Sequence, residues 1–234
     1  MTIYIFGEGS TEKTICKKLV KLVGFKAECI PAGGKNNLNK KVVETIEPLL
    51  GVGEVRCVIV RDLDEGETES RLCQSITDAF ERALQRRDIP GITLKLSPHE
   101  THLNVYVLYQ SNIDLRLAVH IANHRWKPDF ANCTTDDYLL RLALQSTVLI
   151  KLSDKLGITS KKLSEKITSE LPNLLQVNGI TLPEAKNYLQ LYSAINKFSN
   201  LRDFISKIIE NADKTEIREV FLSLIAAFEF VEGA

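Results

Sequence analysis

Three carboxylates in two short stretches are the side chains best suited to chemistry: Glu8 in I-F-G-E-G-S-T-E, and Asp62 with Asp64 in C-V-I-V-R-D-L-D-E-G. Each stretch follows an apolar, β-branched run, Ile3 to Phe6 and Cys57 to Val60, of the kind that forms a strand buried on both faces. In an open parallel sheet the carboxyl ends of the strands share one edge, and ligands bind there. Carboxylates gathered at one edge repel unless a cation or a proton lies between them. The expected cation is Mg²⁺ (or Mn²⁺), a hard ion held by one or two carboxylates together with phosphate oxygens. Asp62 and Asp64 leave an extended backbone on the same face, and Glu8 would reach in from a neighbouring strand about 4.8 Å away. Glu12, a turn further on, could help hold a second ion; an acid in a first helical turn equally complements the helix dipole.

Phosphate ligands are expected beside these acids. Pro31-Ala32-Gly33-Gly34-Lys35 ends the second strand at the same edge, where two glycines let the backbone approach a ligand and Lys35 could neutralise a phosphate; the same stretch also suits a flexible turn. The helix that starts at Ser10 offers unpaired N–H groups to a phosphate once metal screens Glu8. Lys13, Lys17 and Lys21 form one stripe along it, joined by Lys18. Such a stripe either tracks a nucleic-acid backbone or is the solvated face of the helix. Arg61, next to the aspartates, should point away from Asp62 and Asp64 and pair structurally. His120 and His124 have i, i+4 spacing, but H-I-A-N-H lacks the Glu of a zinc-protease motif, so they read as plain histidines.

The elements that must position these residues alternate. Strands are expected at Thr2–Phe6, Lys26–Ile30 and Val55–Val60, and helices at Ser10–Val23, Leu38–Leu50 and Glu69–Arg87. Gly24 closes the first helix. This order implies a mainly parallel sheet flanked by helices, with right-handed crossovers. Ile92–Leu96 and Leu103–Tyr109 read as further strands, and Leu115–Asn123 as a helix. After Trp126 nearly everything has helical period: Tyr138–Ile150, Ser160–Leu175, Pro183–Phe198, Leu201–Glu210 and Glu216–Phe230. The division expected is an α/β domain over residues 1–125 and a mostly helical region over 126–234.

The composition is that of a globular protein, with 44% apolar and 26% charged residues among 234. Thirty basic residues balance thirty acidic ones. The first 125 residues carry 17 basic and 16 acidic, so no half has the charge of a bulk nucleic-acid binder, and any such contact must be local. The five cysteines are scattered without C-x-x-C spacing and read as small hydrophobes, with no zinc site. The N-terminus enters a strand directly, and no apolar stretch approaches the ~20 residues that span a bilayer. A cytoplasmic protein without a membrane partner is expected.

A Glu in the turn after the first strand, with Asp-x-Asp after the third, resembles the TOPRIM domain of topoisomerases, primases, recombination proteins and OLD-type (overcoming lysogenisation defect) nucleases. The form Glu8-Gly9-Ser10-Thr11-Glu12 is most similar to the OLD nucleases and the small stand-alone TOPRIM proteins. The resemblance covers roughly the first half of the chain. It implies a TOPRIM-like sheet and a Mg²⁺-dependent nuclease acting on DNA or RNA. Glu8, Asp62 and Asp64 would be catalytic and hold metal with Glu12, while Ser10, Lys13 and Lys35 would steady the phosphate. A second expectation is a TOPRIM module that binds metal or nucleotide without turnover and docks a protein partner through its helical half; the neutral charge favours it. A third is a phosphatase similar to the haloacid dehalogenases, with Asp62 as nucleophile in D-x-D. That family carries the motif on its first strand, whereas two β-α units precede it here.

Overall fold

The computed structural model describes residues 2–233. The first half alternates as its periodicity implies: β1 (Ile3–Gly7), α1 (Ser10–Val23), β2 (Ala27–Pro31), α2 (Lys35–Ile46), β3 (Val55–Arg61) and α3 (Glu69–Arg86). Gly24 ends α1 in the left-handed conformation, φ 83°, with its N–H on the Val20 carbonyl. Next come β4 (Ser97–Pro98), β5 (Val105–Gln110) and β6 (Leu115–Ile121).

The six strands form one sheet in the order β2-β1-β3-β6-β5-β4. The first three pairings are parallel, and β6-β5 and β5-β4 are antiparallel. Phe6 of β1 lies opposite Ile30 of β2 and Ile59 of β3, so β1 and β3 end side by side. From β1 the chain steps outward to β2 on one side, then returns to place β3 on the other. The crevice between β1 and β3 is therefore where the strand order reverses, the place ligands take in open α/β sheets.

Two expectations fail here. Leu115–Asn123, read as a helix, contains β6, buried along almost its whole length because neighbours cover both faces and both edges. A strand buried all round has no period of two, and a short apolar run cannot be told from a buried helix by pattern. Ile92–Leu96, read as a strand, is not in the sheet; the Leu94 N–H donates instead to Glu81 Oε1 at 2.8 Å, and the chain joins the sheet at Ser97–Pro98.

One core packs Phe6, Cys57, Ile59 and Val119 of the sheet against Leu38, Val42 and Ile46 of α2 and Leu72, Ile76 and Phe80 of α3. The opposite face is served by α1, which packs along β1 and β2, and by α11 (Leu222–Glu232), which packs along β6, β3 and β5. The last helix thus belongs to the sheet: residues 1–123 and 222–234 form one compact unit, and residues 124–221 another.

The second unit is helical: α4 (Thr135–Ala143), α5 (Ser146–Leu156), α6 (Ser160–Glu165), α7 (Leu171–Val177), α8 (Ala185–Ile195), α9 (Leu201–Asn211) and α10 (Lys214–Val220). A π-helical turn, Lys166–Glu170, joins α6 to α7. Its core includes Leu139, Leu152, Leu189 and Tyr192, the last edge-on to Phe204 at 5.1 Å between ring centroids. The expected helix Tyr138–Ile150 is split at Leu144-Gln145, and Glu216–Phe230 is split at Phe221. All five cysteines are buried. Among the described residues no helix is long and apolar enough to cross a membrane.

Candidate active site at the strand ends

Glu8 follows β1, and Asp62 and Asp64 follow β3, so the two acidic stretches lie at neighbouring strand ends. The loop after β2 is tied to the same place: the Ala32 N–H donates to the Gly7 carbonyl at 2.9 Å, and the Gly34 N–H to the Glu8 carbonyl at 2.8 Å. Gly34 makes this approach with φ 122°, a backbone conformation that side chains other than glycine's rarely permit, and α2 starts at the next residue, Lys35.

The acids are bound chiefly by the chain's own cations and N–H groups. Arg61, almost fully buried, donates from Nη1 to Glu8 Oε1 at 2.9 Å and from Nη2 to Glu67 Oε1 at 3.4 Å. The Asp62 N–H reaches the same Glu8 oxygen at 3.3 Å. Burial nonetheless raises the Glu8 pKa above the ordinary carboxylate value, against the pull of Arg61 and the Asp62 N–H, and the charges of Glu12 and Asp64 push the same way. Lys35 forms an ion pair with Asp64, which raises the lysine's pKa, and lies 3.9 Å from Glu67. Glu67 also accepts from the Asp64 N–H at 3.2 Å. Asp62 is half-buried beside them.

Glu12 is buried and accepts from the Gly9 N–H at 2.6 Å, closing the start of α1. A methyl group at Gly7 would run into its Cβ, so the two residues fit only because Gly7 has no side chain. Of the two meanings open to Glu12, this contact matches a helix-starting acid. Ser10 is exposed, with its carbonyl accepting from Thr14 Oγ1 at 2.8 Å. The charges of Lys13 and Lys17 act on Cys29, whose thiol burial pushes up to about 11. Of the expected phosphate ligands, Lys35 forms an ion pair with one of the acids, Asp64.

Beside the acids opens a cavity of about 370 Å³ between α2 and α3, floored by the end of β3, with Lys35, Arg61, Glu67 and Arg71 among its lining residues. Two of these escaped the sequence reading. Glu67 links Arg61, Lys35 and the Asp64 backbone, yet looks like one more acid in D-L-D-E-G-E; Arg71 looks like an ordinary exposed helix residue.

Among the described residues no group of three or more His, Cys, Asp or Glu side chains is arranged to hold a metal ion. The donor chemistry suits a hard cation, since the acids are carboxylates and Glu8 feels two like charges. In this arrangement, though, Lys35 and Arg61 hold two of the three acids.

No family model matches the chain, and no curated protein matches it. Among solved structures, a hypothetical protein from Pyrococcus horikoshii OT3 has a similar fold, with TM-score 0.52 and 18% identity, covering 99% of this chain and 98% of that one. The likeness is one of fold.

Proposed function

We propose that the chain is a metal-dependent enzyme acting on phosphodiesters of nucleic acid, a TOPRIM-like nuclease. The observation that carries this reading is that Glu8 follows β1 while Asp62 and Asp64 follow its neighbour β3, where the strand order reverses. Glu8, Asp62 and Asp64 would hold Mg²⁺ or Mn²⁺. A bound ion would polarise the phosphoryl group and activate the attacking water. Arg61 fixes the Glu8 carboxylate, and Glu12 fixes the turn that carries Glu8 by bonding to Gly9. Lys35, exposed on a flexible stem, would leave Asp64 to make room for the ion and turn to a phosphate oxygen.

A second reading is favoured by one contact. Because Lys35 pairs with Asp64 and Arg61 with Glu8, the chain neutralises much of the cluster by itself, as a binding module without turnover would. The deciding experiment incubates supercoiled, linear and single-stranded DNA, and RNA, with Mg²⁺ or Mn²⁺. Cleavage by the wild type and none by Asp62→Ala/Asp64→Ala supports the nuclease. Intact substrates throughout, with Mg²⁺ binding retained, support the binding module.

A further inference from the structure

The cavity between α2 and α3 is rich in hydrogen-bond donors, with Leu72 and Ile76 as its apolar lining. Lys35, Asn36, Asn39, Arg61, Arg71 and Ser75 line it. Its lining carboxylate, Glu67, is already engaged by Arg61 at 3.4 Å and by Lys35 at 3.9 Å. Lys35 and Arg61 share their charge with Asp64 and Glu8. Arg71 is different: among the described residues its guanidinium meets no hydrogen-bond or ion-pair partner. Its backbone is fixed in the first turn of α3, where its N–H donates to Thr68 Oγ1 at 3.3 Å. Across the cavity, α2 begins without a side-chain cap and without an acid in its first turn. The Asn37 N–H turns back to the Gly34 carbonyl at 3.1 Å, while the Lys35 and Asn36 N–H groups and the positive end of the dipole are left for a ligand. Asn39 donates to Ser75 Oγ at 2.8 Å, which joins the two walls and leaves the serine hydroxyl free to donate inward.

We propose that this cavity binds a phosphomonoester, either the phosphorylated end of a polynucleotide or a small phosphorylated molecule. Donors line the cavity from two helices and a strand end, and a monoester brings them a third terminal oxygen and up to a second negative charge that a diester lacks. At about 370 Å³ the cavity lies near the small end of the ligand-site range of about 300–1,000 Å³, with room for one phosphorylated unit. This binding needs neither metal nor turnover, so it stands apart from the nuclease reading.

The test is fluorescence anisotropy in EDTA, where nothing is cleaved, with internally labelled oligonucleotides bearing a 5′-phosphate, a 3′-phosphate or only hydroxyl ends. Inorganic phosphate and a nucleoside monophosphate serve as competitors, and their direct binding is measured by calorimetry. A phosphorylated end should tighten binding about tenfold, the worth of one charge-assisted contact, and inorganic phosphate should abolish the difference. Arg71→Ala and Ser75→Glu should lose the preference with melting temperatures unchanged, and Arg71→Lys should keep part of it. If the nucleoside monophosphate binds but the phosphorylated end adds nothing, the small molecule is the ligand and the proposal holds. If neither phosphate source binds better than a hydroxyl end, or Arg71→Ala keeps the full preference, the proposal is overturned. Neither result bears on cleavage, which is read separately in Mg²⁺.

Discussion

Arg61 and Glu8 meet at 2.9 Å across the ends of two parallel strands, so the last residue of β3 holds the acid that follows β1. With Arg61 almost fully buried and Glu8 largely so, losing Arg61 leaves the Glu8 carboxylate with the Asp62 N–H alone, whereas losing Glu8 leaves Arg61 its contact with Glu67.

Arg61→Met should therefore lower stability by about 1–3 kcal/mol, less than a fully buried pair would lose because Glu8 keeps some contact with water. Adding Glu8→Gln should recover part of that loss. Urea denaturation of the two single variants and the double variant reads the coupling. Additive losses would show that the pair contributes little.

Lys35 competes with any cation for Asp64. Lys35→Met should raise Mg²⁺ affinity several-fold in calorimetry, and Asp64→Asn should lower it. Unchanged affinity in Lys35→Met would mean that ion and lysine do not share the site.

Gly7 and Gly9 lie on either side of Glu8, and substitution should affect them unequally. Gly7→Ala drives a methyl into Glu12 Cβ, with Cγ only 3.2 Å away, and should cost about 1–3 kcal/mol by overpacking. Gly9→Ala meets only the Glu12 carboxylate tip at 3.3 Å, which can give, and should cost less. Urea midpoints of the two variants check the order.

His120, buried in β6, has Asn104 Nδ2 at 3.2 Å and Ser223 Oγ at 3.0 Å from Nε2. Burial, helped by the His102 charge, lowers its pKa from 6.5 to about 4. The unfolded chain therefore binds the extra proton first as pH falls. The contribution of neutral His120 is complete above pH 6.5 and is lost between there and pH 4, with an upper bound of about 3 kcal/mol. The urea midpoint should fall over this window in wild type, and less steeply in His120→Gln.

Much of the site could be read before folding, because Glu8 and the Asp62-Leu63-Asp64 stretch each end a run whose burial pattern names it a strand. What pairs with them could not be. Lys35 reaches Asp64 because the loop after β2 bonds to the backbone of Gly7 and Glu8, a contact between distant segments that no local pattern records. The helix expected at Leu115–Asn123 became β6 for a related reason: two neighbouring strands and packing on both faces bury L-R-L-A-V-H-I too evenly to leave a period. The return of α11 to the sheet gave no local signal either, since α10 and α11 look like one helix in sequence.

That return sets an order on biosynthesis. Helix α11 cannot pack on β3, β5 and β6 until residues 222–232 have left the ribosome, after the whole intervening helical unit has emerged. A strand-rich nascent chain in that state exposes apolar surface of the sort chaperones recognise. The helical unit, closed within residues 124–221, is free to fold first, although its sequence begins after the sheet's last strand.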